Sequence, residues 1–196
     1  MADLDVVLLA AGNASRFGSA KQRVLIGGVP MVRRAAQAAL ATGAGVSVIT
    51  GAYADEVAQE LAGLPLTLLH NTAWQQGMGS SIACGFRHLI DAPVSAAAMV
   101  CLADQPLVGA AELQRLISVH HTAPERIVAA DHGTTLGAPC LFPRRYYAEL
   151  AALAGAQGAR RLLDIHAQHV TAVAMPEAAV DVDTPLDYER LIHAAS

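Results

Sequence analysis

Two cations and several carboxylates stand just past apolar runs, where phosphate and divalent-metal chemistry would need them. Arg16 and Lys21 fall within "GNASRFGSAK", which follows directly on "VVLLAA". An arginine offers a planar fork to phosphate oxygens, and a lysine offers a compact point charge. Gly12 lets the backbone turn sharply and approach a ligand, and successive N–H groups in such a turn form an anion-binding hollow. The spacing matches neither GxxxxGK[ST] nor GxGxxG. Asp104, in "MVCLADQPLV", ends another apolar run and precedes Gln105 and Pro106. Magnesium takes one or two such carboxylates together with substrate phosphates. The same residues also suit a solvated surface loop and an ordinary aspartate turn. The chemical reading therefore requires that the fold bring them to one place.

Two further stretches carry candidates. "AVDVDTPLDYERL" holds Asp181 and Asp183, with Asp183 or Thr184 well placed to cap a helix that begins at Pro185. "HNTAWQQGMGSSIACGF" holds Trp74, Gly77, Gly79, Ser80 and Ser81. Its glycines permit close backbone approach and the start of its helix favours negative charge, although Ser80 also suits an N-cap and Trp74 a core anchor. His120, His121, His166 and His169 lack partners at metal-ligand spacing. No Ser-His-Asp or Cys-His arrangement can be read.

The elements that must position these groups alternate. Strand-like runs begin at Val6, Val46, Leu66, Ala96, Arg126, Gly137 and His169. Helical patterns span 30–42, 55–61, 80–90, 111–121, 146–153 and 184–193, with Pro30 at a first helical position and Gly43 at an exit. The expectation is an α/β fold: one domain over residues 1–196, doubly wound around a mostly parallel sheet. Ligands bind such sheets beyond the carboxyl ends of the strands, where strand order reverses. The connection from Gly12 to Val29 is far longer than usual and reads as functional.

Composition narrows the classes. The chain is 54% hydrophobic but only 4% aromatic, so alanine, valine and leucine must fill the core. A net charge of −4 argues against a nucleic-acid binder. Cys84, Cys101 and Cys140 are scattered and read as reduced packing thiols. The segment "MADLDVV" does not read as a signal peptide, and no apolar stretch approaches a membrane span of about 20 residues. The cytoplasm is the expected location, with no membrane partner.

"LLAAGNASRFGSAK" resembles the LAAGxSxRxGxxK signature of the MobA-like nucleotidyltransferases, and within them the MocA-like molybdenum cofactor cytidylyltransferases. Further segments are similar in the same order: the Trp74–Ser81 region to N-x-x-W-x-x-G-M-x-x-S-I, the DQP triplet, "GAQGAR" to GDxGAR, and "DVDTPLD" to D-x-D-T-P-x-D. The resemblance implies a Rossmann-like nucleotidyltransferase fold. It implies that Arg16 and Lys21 act catalytically on the phosphates. Leu9, Ala10, Ala11, Gly12, Ser15 and Gly18 would form the nucleotide loop, with Gly79, Ser80 and Ser81 beside base and ribose. Asp104 and Asp183 would hold Mg²⁺, with Asp181 as the second choice to Asp183. Ala156 stands where the family has an acidic residue, and Ala138 where it often has histidine. Both departures fall on the acceptor side.

The implied reaction is transfer of CMP from CTP to a molybdopterin-type acceptor with loss of pyrophosphate. An already ionised phosphate nucleophile needs no general base, in keeping with the missing catalytic histidine. LAAG rather than LAGG is associated with the cytidylyl branch. Two alternatives stay open. One is a nucleotidyltransferase for a sugar or polyol phosphate. The other is a non-catalytic chaperone that binds nucleotide or cofactor and delivers it to an apo-molybdenum hydroxylase.

Overall fold

Along Val6–Ala10 successive side chains enter opposite layers: Val6, Leu8 and Ala10 pack in one buried cluster, Val7 and Leu9 in another. This period-two division makes the strand the centre of a sheet covered on both faces. The protein, described by a computed structural model over residues 4–14, 17–18, 20–92 and 95–194, builds outward from it. Strands β1 (Leu4–Ala10), β4 (Gly45–Thr50), β5 (Thr67–His70), β6 (Ala97–Leu102), β7 (Ile127–Asp131), β8 (Leu136–Pro143) and β9 (Val170–Ala174) form a seven-stranded sheet ordered β5-β4-β1-β6-β8-β7-β9. All pairings are parallel except those of β8, which runs antiparallel to β6 and β7. The doubly wound expectation holds.

Helices α1 (Met31–Leu40), α2 (Ala54–Leu61) and α4 (Ala110–Thr122) bury one face of the sheet. The other is buried by α3 (Met78–Asp91), α5 (Tyr147–Ala151) and α6 (Arg160–Ile165). There Phe86 meets Tyr147 edge to face at 5.1 Å, and the Tyr147 hydroxyl lies 3.1 Å from Ser95 Oγ. Burial pushes the Cys101 thiol up to about 12 and the Cys140 thiol up as well, so both are neutral packing groups. No helix among the described residues is long and apolar enough to cross a membrane.

Strand order reverses between β1 and β6, whose registers run in step to Leu9 opposite Leu102. The chain segments leaving these two strands diverge from one point, and the Ala103 N–H still donates to Leu9 O at 3.1 Å. Several boundaries differ from the sequence reading. The long connection is not structureless: it contains a 3-10 turn over Lys21–Arg23 and a hairpin of β2 (Leu25–Ile26) and β3 (Val29–Pro30). Pro30 therefore pairs with Leu25 and precedes α1 instead of opening it. Helix α6 had no sequence expectation, because its six residues are too few to show a period.

Candidate nucleotide and metal site

At the switch point the structure has a cleft of about 370 Å³. The end of β1 and its loop supply one wall through Leu9, Ala10, Ala11, Gly12 and Asn13. Leu102 ends β6 and Ala103 and Asp104 follow it, while Trp74, Gln75, Gly77, Met78 and Ser81 come from the approach to α3 and its first turn. Lys21, Gln22 and Met31 complete the lining.

The charged end is organised by Lys21, which is 8% exposed. Its Nζ donates to Asp104 Oδ2 at 2.8 Å and to Asp183 Oδ1 at 2.6 Å. One ammonium thus ties together three segments that are distant in sequence. Burial pulls the Lys21 pKa down, but Asp104 and Asp183 outweigh it, so the net shift is upward and the group stays charged. Asp181 is pushed up to about 6, first by burial and then by the like charges of Asp104 and Asp183, against relief from His132 and Lys21. Asp181 is exposed, so solvent screens both effects on its carboxyl.

Local structure explains how Asp183 arrives there. The Val182 N–H donates to Asp104 O at 3.0 Å, joining the two acidic segments through the backbone. Thr184 is the cap of α7 (Pro185–Ala194): its N–H and hydroxyl reach Asp187 Oδ2 at 2.8 and 2.7 Å, and the Asp187 N–H donates back to Thr184 Oγ1 at 3.2 Å. This reciprocal box caps the helix without using the Asp183 carboxylate. Of the two readings for Asp183 and Thr184, the cap falls to Thr184, and Asp183 turns to Lys21.

The other side of the cleft is a polar knot. Asn71 Nδ2 donates to Ser80 Oγ at 2.9 Å and to Ser81 Oγ at 3.0 Å. Ser80 Oγ also lies 2.8 Å from Gly77 O, so the expected N-cap residue sits inside the first turn of α3 and bonds backwards. Ser81 faces the cleft, whereas Ser80 lies behind it. Gly77, at φ 106°, and Gly79 meet the 154–157 segment: an added Cβ would fall 2.6 Å from Gly155 O and 2.6 Å from Gln157 O respectively. The absent side chains thus serve backbone-to-backbone packing between α3 and the "GAQGAR" segment. Trp74 is half-buried and forms cleft wall instead of anchoring the core.

Of the residues singled out in the sequence, Leu9, Ala10, Ala11, Gly12, Lys21, Ser81 and Asp104 line the cleft, and Asp183 joins them through Lys21. Gly18, at φ 80°, turns the loop outside the lining, and Gly79 and Ser80 are packed beneath it. Ser15 and Arg16 lie outside the described residues. Sequence reasoning did not single out Asn71 or Gln22 as site supports, nor Gln105 as a clamp on backbone carbonyls outside the cleft. Gln22 has no sequence signal beyond standing next to Lys21, and Gln105 none beyond its place in the DQP triplet; only the fold shows that both are 3% exposed. Among the described residues no three His, Cys, Asp or Glu side chains stand close enough to hold a metal ion alone. Two carboxylates completed by ligand oxygens remain a suitable donor set for magnesium.

Comparison with known proteins identifies the family and the fold. The chain is 36% identical over 119 residues to the bifunctional protein GlmU of Kineococcus radiotolerans, a match covering 59% of this chain and 24% of that protein. It spans about a quarter of the length of the curated relatives it matches. The Rv0371c structure from Mycobacterium tuberculosis superposes with a TM-score of 0.84 at 26% identity, covering 98% of both chains. The same protein in complex with manganese superposes with a TM-score of 0.80 at 25% identity, covering 97% of this chain and 98% of that one. Residues 6–172 match the MobA-like NTP transferase domain, and the chain belongs to that family.

Proposed function

We propose that the protein is a Mg²⁺-dependent nucleotidyltransferase that moves CMP from CTP to a molybdopterin-type acceptor and releases pyrophosphate. In this reaction an ionised acceptor phosphate oxygen bonds to the α-phosphorus. The bond from that phosphorus to the bridging oxygen of the β-phosphate breaks, and its electron pair leaves with pyrophosphate. No proton need be removed from the nucleophile. Catalysis then rests on alignment and on offsetting charge that spreads over phosphate oxygens and leaving group.

The observation that carries this reading is the Lys21 ammonium shared by Asp104 and Asp183 at the edge of the switch-point cleft. Lys21 would turn to the phosphates, Leu9–Gly12 would face base and ribose, and Arg16 would add a second cation on the same loop. The carboxylates fit a divalent cation, since they already share one positive charge and crowd Asp181. Asp104 and Asp183 would hold Mg²⁺, which when bound offsets negative charge on the polyphosphate. The manganese complex of the mycobacterial relative supports a divalent ion here.

CTP is favoured because Ala11, 7% exposed, lines the cleft, where its methyl would narrow the base pocket against a purine. Ala11→Gly is expected to raise GTP use relative to CTP; an unchanged ratio removes Ala11 from base selection. A sugar or polyol phosphate acceptor is the second reading, favoured by Ala138 and Ala156, which put methyl groups on the acceptor-side segments. The deciding experiment measures pyrophosphate release with each nucleoside triphosphate, Mg²⁺ and either molybdenum-loaded pterin or sugar phosphates, with omission controls. Release only with CTP, metal and pterin supports the proposal. Tight CTP binding with no release under any combination favours the cofactor-delivering chaperone.

A further inference from the structure

Gln22 lies directly after Lys21, is 3% exposed, and lines the same cleft. Its Nε2 donates to Ala10 O at 3.3 Å and to Gly12 O at 2.9 Å. Both partners are acceptors, so only the amide nitrogen can stand there and the orientation of the side chain is fixed. The two carbonyls flank Ala11, whose own carbonyl accepts the Ala52 N–H at 3.3 Å. Every carbonyl from Ala10 to Gly12 thus has a donor within the protein, and the shape of this wall is set before any ligand arrives. The other half of the amide, Gln22 Oε1, is buried with no partner among the described residues. An orphaned acceptor is costly, and it offsets part of what the two donated hydrogen bonds contribute to stability.

We propose that Gln22 is the positioning residue for base selection, holding the peptide groups on both sides of Ala11 so that the methyl and the surrounding backbone meet the base in one geometry. This rests on the nucleotide reading of the cleft. The adjacent Lys21 governs the polyphosphate end, so two consecutive residues fix both ends of the nucleotide site.

A matched residue separates positioning from plain structural support. Gln105 follows Asp104, is also 3% exposed, and also clamps two carbonyls through Nε2, Ala138 O at 3.1 Å and Ala178 O at 2.7 Å. Its Oε1 likewise has no partner among the described residues. Neither Ala138 nor Ala178 lines the cleft.

The test measures calorimetric Kd for CTP and GTP with Mg²⁺, melting temperature, and steady-state pyrophosphate release for the wild type, Gln22→Met and Gln105→Met. The expected result is that Gln22→Met weakens CTP binding about tenfold or more and narrows the CTP:GTP preference. Its KM for CTP rises with Kd, while kcat at saturation changes much less. Gln105→Met is expected to lower the melting temperature by a similar amount while its Kd for CTP stays within about twofold. Equal shifts in Kd for both variants, or an unchanged Kd and base preference in Gln22→Met, overturn the assignment. Wild-type protein that binds neither nucleotide overturns the nucleotide reading, and this inference with it. Gln22→Asn, which keeps the amide but withdraws it by one methylene, is read in the same way should Gln22→Met not fold.

Discussion

Lys21 stands where two demands meet. Its ammonium serves Asp104 and Asp183, yet a polyphosphate would compete for the ammonium and a divalent ion for the carboxylates. Nucleotide and metal should therefore help one another bind, since each releases the partner of the other. Lys21→Met is expected to bind Mn²⁺ more tightly than the wild type without nucleotide, as read by the free-ion EPR signal, while turnover falls by about 10²–10³. Its melting temperature should drop in chelator, where the half-buried carboxylates face one another without the ammonium between them, and recover with Mg²⁺. Equal Mn²⁺ affinity in the two proteins would end the competition argument. Asp181 adds a pH signature. Its carboxyl titrates near 6 in the folded protein against an ordinary 3.8, so the folded state holds the proton more tightly and stability from this group falls as pH rises between those values. Asp181→Asn should gain melting temperature relative to the wild type across that window, with the difference level above it. A pH-independent difference would show that Asp104 and Asp183 do not crowd Asp181.

At the level of elements, helix α3 is the piece whose function most depends on what it packs against. Its first turn carries Ser81 into the cleft and is pressed backbone to backbone on the 154–157 segment through Gly77 and Gly79. Gly79→Ala places a Cβ 2.6 Å from Gln157 O and 2.8 Å from Ala154 O, neither of which can swing aside as a side-chain end would. A stability loss of about 1–3 kcal/mol is expected in chemical denaturation, together with weaker nucleotide binding as the turn lifts. A neutral substitution would mean that the segment yields freely. The long strands and helices were legible because their apolar residues recur with the right period, and the Lys21 and Asp104 segments because cations and carboxylates follow apolar strands. The β2–β3 hairpin and α6 were not, since two-residue strands and a six-residue helix carry no period. The role of Gly79 was hidden for another reason: a glycine tells of close approach, but the sequence does not say to what.

Over the whole molecule, the cleft is a meeting of parts that belong to different layers. Its walls come from β1 and β6 at the middle of the sheet, from the start of α3 on one face, and from Met31 of α1 on the other. Asp183 reaches it from near the far end of the sequence, just ahead of α7, whose Tyr188 hydroxyl donates to Leu25 O at 3.0 Å in the hairpin after Lys21. Which aspartate of "DVDTPLD" would turn inward was undecidable from spacing, because the answer depends on the Val182–Asp104 backbone bond and on Thr184 taking the cap. A ligand that touches all of these parts must stabilise the fold as a unit, because unfolding any of them releases it. At a concentration of 100 times Kd such linkage contributes about 2.7 kcal/mol. For a chain of this size that corresponds to a rise in melting temperature of about 5–10 °C. CTP with Mg²⁺ is expected to produce that rise, GTP with Mg²⁺ a smaller one, and either CTP or Mg²⁺ alone less than the pair. No shift with millimolar CTP and Mg²⁺ would show that the cleft does not join these elements around a nucleotide, however well the family and the fold agree.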